Sequence, residues 1–87
     1  MYKVELAPRA HEQLANMGNS TKLIFAKHLA KLEALAPRKF LSGSNIGVEK
    51  AGQGMIVCPV GEDEIKVLRI FATHKEYEKW FREGMPM

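Results

Sequence analysis

The first stretch of the chain alternates between apolar and polar residues. Val4 and Leu6 flank Glu5, a period of two that is typical of a half-buried strand over residues 2–7. Pro8 ends this strand and can occupy the first turn of a helix, where its missing N–H is not needed. That helix is predicted to end at Gly18. Its apolar face comprises Ala10, Leu14 and Met17.

A second, longer helix is predicted after Gly18. The segment Asn19, Ser20, Thr21 offers three residue types that commonly cap a helix N-terminus. Pro37 limits the helix, because the residue before a proline avoids the helical conformation. His28 falls within the apolar stripe, where we interpret it as a packed boundary residue rather than a ligand. The stripe comprises Ile24, Phe25, Leu29, Leu32, Leu35 and Ala36.

Three short strands are predicted after a loop over residues 41–47. They span residues 48–51, 55–58 and 65–72 and are separated by glycine-containing turns. Pro59 predicts that the middle strand ends there or lies at an edge or bulge. The third strand is apolar on both faces, which is typical of a central strand. Strict alternation places its single arginine, Arg69, on the face of Val67 and Phe71.

The last helix has a well-marked start. Thr73 and Glu76 fit a capping box, and Gly84 is predicted to end the helix. Its apolar side comprises Tyr77, Trp80 and Phe81. Aromatic side chains on so short a helix either pack on the sheet or stay exposed for a partner. The element order predicts an α+β fold: a small antiparallel meander sheet plus an N-terminal strand, a helical pair on one face and a short C-terminal helix.

Composition narrows the class of protein. At 87 residues the chain has room for a single domain, 1–87, and no apolar run approaches the roughly 18 residues of a membrane span. One cysteine, Cys58, cannot form an internal disulfide, which suits the cytoplasm, and its apolar neighbours indicate packing rather than catalysis. The net charge of +3 fits either an ordinary mixed surface or a polyanionic or acidic partner.

One region of the sequence combines groups that could act on a phosphodiester. His74 and Tyr77 share a side of the last helix, one turn apart, and a basic stripe lies beside them. The stripe comprises Lys75, Lys79 and Arg82. A histidine can give or take a proton near neutral pH, and cations can stabilise charge that builds on phosphorus. The alternative is an ordinary amphipathic helix with Tyr77 in the core and a solvated basic flank.

Other chemistries have little support in the sequence. Nucleotide-binding glycine loops and paired metal-binding motifs are both missing, and the three histidines are scattered along the chain. We therefore expect neither a metal nor a cofactor. An RNA substrate needs none of these, because its own 2′-hydroxyl can serve as the nucleophile.

Several segments together resemble the RelE/ParE superfamily of type II toxin–antitoxin toxins, in particular its RelE and HigB branches. They are the opening strand with Pro8-Arg-Ala10, the helix end Leu32-x-x-Leu35-x-Pro37, and the strand 65–70 running into Thr73-His-Lys-Glu-Tyr77. The resemblance spans nearly the whole chain. It implies a ribosome-dependent endoribonuclease, an mRNA interferase, that cuts mRNA on the ribosome and is neutralised by a cognate antitoxin. No membrane partner is expected, and no homo-oligomer without the antitoxin.

The resemblance also implies roles for single residues. Tyr77 matches a C-terminal tyrosine assigned to proton transfer, while His74 and Lys75 stand where the family contacts the scissile phosphate. Lys50 matches a basic position of the active face. The family commonly has an arginine after the glycine-rich turn, where this chain has Met55, and Arg69 is the candidate to supply that charge.

Three functions remain open at this point. The His74/Tyr77 pair favours the mRNA interferase. A ParE-like toxin that inhibits DNA gyrase would not need this pair. A catalytically weak module that only binds an antitoxin or RNA is favoured by Met55. For the nuclease we predict that Lys50, Arg69, Lys75, Lys79 and Arg82 converge on one open face, where Arg69, Lys79 and Arg82 bind RNA.

Overall fold

The secondary structure follows the predicted order, with one added strand and one strand divided in two. The computed structural model describes residues 1–86. Its helices are α1 (Pro8–Ala15), α2 (Asn19–Leu32) and α3 (His74–Arg82). Its strands are β1 (Lys3–Leu6), β2 (Lys39–Phe40), β3 (Ile46–Ala51), β4 (Gly54–Pro59), β5 (Glu64–Val67) and β6 (Arg69–Phe71). Within residues 1–86, no helix combines the length and apolar character needed to cross a membrane.

The strands form two sheets, one of four strands and one of two. Strands β2, β3, β4 and β6 pair in that order and antiparallel, whereas β1 pairs in parallel with β5. Only Leu68 separates β5 from β6, and its N–H donates to Val57 O at 2.8 Å. The third predicted strand therefore lies between β1 and β4, as expected of a central strand. The α+β fold class is confirmed.

Leu68 interrupts the alternation of the third predicted strand. Ile65 and Val67 belong to the same buried cluster as Ile70, although a regular strand would place Val67 and Ile70 on opposite faces. Phe71 belongs to the other cluster. Leu68 thus acts as a bulge that shifts the alternation by one residue. The prediction that Arg69 shares a face with Val67 is wrong, but Arg69 does share one with Phe71.

Each face of the sheet carries its own buried cluster. One lies beneath α1 and α2 and includes Ala10, Phe25, Leu32, Ile56, Cys58, Ile65 and Ile70. The other lies beneath α3 and comprises Val48, Met55, Val57, Phe71 and Trp80. Neighbouring residues of β4, such as Ile56 and Val57, point to opposite clusters, and both are fully buried. This explains why β4 is apolar along its whole length.

The ends of α2 differ from those predicted. Gly18 occupies the N-cap position without any side-chain cap, so none of Asn19, Ser20 and Thr21 caps the helix. Gly18 also has an extended backbone conformation, with φ −65° and ψ 158°, and α1 already ends at Ala15. At the other end α2 stops at Leu32, five residues before Pro37. Ile24 is 43% exposed and Leu35 59% exposed, so only part of the predicted stripe is core.

Both ends of α3 agree with the sequence. The Thr73 hydroxyl accepts a hydrogen bond from Glu76 N at 3.2 Å, which satisfies one free N–H of the first turn. At the C-terminus Met85 N donates to Trp80 O and Gly84 N to Phe81 O. These two bonds form a Schellman motif, which needs a left-handed residue, and Gly84 has φ +89°. The predicted capping residue and the predicted stop are confirmed.

Candidate functional site

The face of the sheet that carries α3 also carries basic residues at its open side. Cross-strand neighbours share a face, and one row runs Lys39, Val48, Val57, Arg69 from β2 to β6. The next row runs Lys50, Met55, Phe71. Because Val57, Met55 and Phe71 pack under α3, the three basic residues lie on the same face. We call it the α3 face. Lys39 was not singled out in the sequence, since its two-residue strand is too short to show a period.

His74 and Tyr77 lie side by side on α3, as their spacing predicts. Their ring centroids are 5.7 Å apart with an interplanar angle of 44°. Tyr77 also packs edge-on against Phe71, at 6.1 Å between centroids, which anchors the phenol to the sheet. His74 is more exposed, and its Nε2 lies 3.6 Å from Glu78 Oε1. Glu78 was missed in the sequence, although its spacing of four residues from His74 is a usable signal.

A cleft of about 310 Å³ opens beside these two rings. Phe81 and Arg82 line it from α3, and Leu41 lines it from the loop after β2. Arg82 is the member of the predicted basic stripe that lines this cleft together with His74 and Tyr77. The cleft therefore combines an imidazole, a phenol, a guanidinium and the Glu78 carboxylate around an open, partly apolar space.

The other two members of the basic stripe lie elsewhere on α3. Tyr77 and Trp80 point to the sheet, and at about 100° per residue Lys75 and Lys79 lie on the opposite, solvent side. Both lysines are exposed. Lys50 is on the α3 face but two strands, roughly 10 Å, from Phe71. The five predicted cations thus do not converge on one face, because a helix that buries one side must turn the other to solvent.

Arg69 is engaged in holding the C-terminal segment. Its Nη1 donates to Leu68 O at 2.8 Å and its Nη2 to Pro86 O at 3.4 Å. Trp80 Nε1 donates to the same Pro86 carbonyl at 2.9 Å. Arg69 therefore lies on the Trp80 side of α3, whereas the cleft opens on the side of Leu41 and Phe81. It does not replace the arginine expected at Met55, and Met55 itself is 7% exposed within the cluster under α3.

Burial raises the pKa of two groups. Desolvation raises the pKa of the Tyr77 phenol above its ordinary 10.0, so Tyr77 stays protonated and can donate rather than accept a proton at neutral pH. Burial, with a smaller contribution from Glu49, raises the pKa of Cys58 to about 12. Cys58 is fully buried, which confirms the packing interpretation. Within residues 1–86, no three His, Cys, Asp or Glu side chains group as a possible metal site.

Sequence comparison and structure comparison give different results for this chain. No protein-family model and no curated protein matches the sequence. The fold, however, matches the isolated Escherichia coli RelE toxin with a TM-score of 0.72, over 95% of this chain and 98% of that one, at 16% identity.

Two complexes contain similar chains. A chain of the intact E. coli RelBE toxin–antitoxin complex matches with a TM-score of 0.73 and 14% identity, over 82% of this chain and 95% of that one. A chain of the archaeal RelE–RelB complex from Pyrococcus horikoshii matches with a TM-score of 0.64 and 17% identity, over 80% of this chain and 92% of that one. Identities of this size establish architecture, and function has to be argued from the site. The chain therefore has the fold of the RelE toxins.

Proposed function

We propose that this protein is the toxin of a type II toxin–antitoxin system and acts as a ribosome-dependent mRNA interferase. The observation that carries the proposal is the pair of His74 and Tyr77 rings, 5.7 Å apart, at a cleft shared with Arg82. The RelE fold supports it, because toxins in complex with antitoxins share the architecture that positions this pair.

The cleavage step uses the substrate's own nucleophile. The RNA 2′-oxygen bonds to phosphorus while the bond from phosphorus to the 5′-oxygen breaks, leaving a 2′,3′-cyclic phosphate and a 5′-hydroxyl. His74 accepts the proton of the 2′-hydroxyl. Tyr77, whose pKa is raised by burial, donates its proton to the departing 5′-oxygen. Both charge changes are local, and the scheme itself calls for no metal or cofactor.

Basic residues hold the phosphates in this scheme. Arg82, which lines the cleft, contacts the scissile phosphate in this scheme, and Lys50 extends the positive charge along the α3 face. Lys75 and Lys79, on the solvent side of α3, contact phosphates of the mRNA or ribosome farther from the bond that is cut. Arg69 has an indirect role in this scheme. It binds the Pro86 carbonyl, which also accepts a hydrogen bond from Trp80 of α3, and so helps to position the helix.

An antitoxin partner is part of the proposal. Phe81 is 46% exposed at the cleft, and Leu41 lies across from it, so an antitoxin segment can cover apolar surface and the catalytic pair together. Trp80 is 7% exposed and is not available for such a contact. The cytoplasm, where ribosomes and mRNA are found, is the compartment that this function requires.

The test is cleavage of a translated mRNA on ribosomes, measured as cut-site yield by primer extension. His74→Ala and Tyr77→Phe should each lower the yield at least tenfold, since acid–base groups contribute roughly 10²–10⁴-fold. Tyr77→Phe keeps the ring that packs on Phe71, so the fold is preserved. His11→Ala, an exposed histidine on α1, is the matched control and should cleave normally. Unchanged yield in both folded variants would exclude this site.

One observation favours a second candidate function. Met55 fills the position of the expected arginine with a buried apolar side chain, and Arg69 is occupied by backbone carbonyls. A catalytically weak RelE-like module that binds antitoxin or RNA would have such a face. The same assay separates the two: wild-type protein that binds ribosomes without cutting mRNA supports the weak module. Inhibition of supercoiling by purified DNA gyrase would instead indicate the ParE-like function.

A further inference from the structure

A groove of about 490 Å³ lies away from the catalytic pair, between the end of α2 and strand β3. We call it the α2–β3 groove. The segment after α2 and strand β2 form its outer wall, and residues from both faces of β3 line it. Its ionisable side chains are His28, Lys31, Arg38, Lys39, Glu49 and Lys50.

The single carboxylate of the groove is already occupied. Glu49 Oε2 lies 3.1 Å from His28 Nδ1 and 3.3 Å from Lys31 Nζ, and the Glu49 side chain is only 12% exposed. Both partners are on α2, so Glu49 is turned toward the helix. Among the described residues, Arg38, Lys39 and Lys50 have no acidic partner within 4.0 Å. Three cations at this groove therefore remain available to an anion.

The groove concentrates the net charge of the whole protein. Its four lysines and arginines less one glutamate give 4 − 1 = +3. The chain as a whole has 13 basic and 10 acidic residues, 13 − 10 = +3. The remaining residues are consequently neutral on balance, and the excess positive charge of the groove attracts a polyanion.

The lining suits a phosphate chain better than a protein. Protein interfaces have apolar, aromatic-rich centres that are depleted in lysine, whereas this groove offers a single large exposed apolar side chain, Leu35. Lys39 and Lys50 belong both to the groove and to the α3 face, so the two surfaces are continuous. We propose that the α2–β3 groove binds the phosphodiester backbone of single-stranded RNA as it leaves the α3 face. The choice of RNA rests on the proposed function.

The experiment measures binding of the isolated protein to a fluorescein-labelled single-stranded RNA by anisotropy, over a series of salt concentrations. The logarithm of the binding constant falls linearly with the logarithm of the salt concentration. For single strands, each lost phosphate contact makes this slope shallower by about 0.7. Arg38→Ala with Lys39→Ala should therefore reduce the slope by about 1.4. Lys27→Ala with Lys66→Ala removes the same charge from exposed positions outside the groove and should leave the slope unchanged.

Several outcomes would overturn the inference. Equal slope losses in the two double variants, both folded by circular dichroism, would mean that only net charge matters. Affinity that differs strongly between two unrelated RNA sequences would contradict backbone contact, because phosphates carry no sequence information. Competition by polyglutamate as effective as competition by unlabelled RNA would indicate an acidic protein as the occupant.

The result does not depend on cleavage. Binding is measured on the isolated protein without ribosomes, whereas cleavage is measured on ribosomes. One outcome is that mRNA is not cut, but the salt dependence of RNA binding is weaker in the groove double variant than in the control double variant. The groove then binds RNA, and only the proposed nuclease function is wrong. The opposite outcome is that mRNA is cut, but the groove and control double variants show the same salt dependence of RNA binding. In that case only the groove inference is wrong.

Discussion

Cys58 shows at the scale of one residue how the sheet excludes water. Cys58 belongs to the same buried cluster as Ile56, Ile65 and Phe25, and the pKa of its thiol is raised from 9.0 to about 12, mainly by burial. Above pH 9 the unfolded chain releases this proton while the folded chain keeps it, so the free energy of unfolding should fall as the pH rises from 9 toward 12. The fall from this group is at most about 1.4 kcal/mol per pH unit.

The measurement is urea unfolding at pH 8 and pH 10.5 for wild type and Cys58→Ala. Other groups titrate in both proteins, so the difference between them isolates the thiol. Wild type should lose more stability over this interval than the variant, and a thiol reagent at pH 8 should modify the native protein only as fast as it unfolds. Rapid modification of the native protein would show that Cys58 is accessible.

The sequence predicted the positions of some residues of the candidate site but not of others. His74 and Tyr77 were predictable because a spacing of three residues on a helix fixes their common side. The position of Arg69 was not, because the bulge at Leu68 shifts the alternation and leaves no signal in the sequence. Lys39 and Glu78 were also missed. The relevance of Lys39 depends on partners in another strand, which a pattern within one segment does not specify, whereas the spacing of Glu78 from His74 was a usable signal.

At the scale of elements, a threonine near the N-terminus of α2 and one at the N-terminus of α3 are expected to affect stability differently. Thr73 caps α3 through its hydroxyl, whereas Thr21 lies inside α2 and caps nothing. Thr73→Ala should cost about 1 kcal/mol of unfolding free energy. Thr21→Ala should not destabilise through a lost cap, and alanine is the better helix former. Urea midpoints of the two variants compare them directly, and equal losses would contradict the assigned caps.

The periodicity of the sequence predicted which helices and strands form more reliably than it predicted where they begin and end. The strands β3 and β4 and all three helices were predicted within a few residues. The α2 N-terminus was misassigned because a segment of capping residues, Asn19 to Thr21, follows a glycine that takes the cap position itself. Strand β2 was missed because two residues cannot display alternation, and it forms only by pairing with β3.

At the scale of the whole molecule, charge and apolar surface are distributed by the fold rather than by the chain order. A net charge of +3 was evident from composition, yet its concentration at the α2–β3 groove arises only when β3 is brought beside the end of α2. Likewise the sheet buries both faces, one against α1 and α2 and one against α3. The prediction of a helical pair on one face was correct, and the docking of α3 on the other face completes it.

The enclosure of Trp80 makes the protein its own spectroscopic probe. The chain has one tryptophan, 7% exposed, with Phe71 at 5.4 Å between ring centroids and its indole N–H bound to Pro86 O. Its emission therefore reports one event, the separation of α3 from the sheet, and should shift to longer wavelength when water reaches the indole. Because Val57 under α3 and Ile56 on the other face are adjacent in β4, we expect this shift to share its urea midpoint with the loss of far-ultraviolet ellipticity. An earlier shift in emission would mean that α3 detaches while the sheet remains folded, and the same fluorophore would then give the equilibrium constant of that opening without any added label.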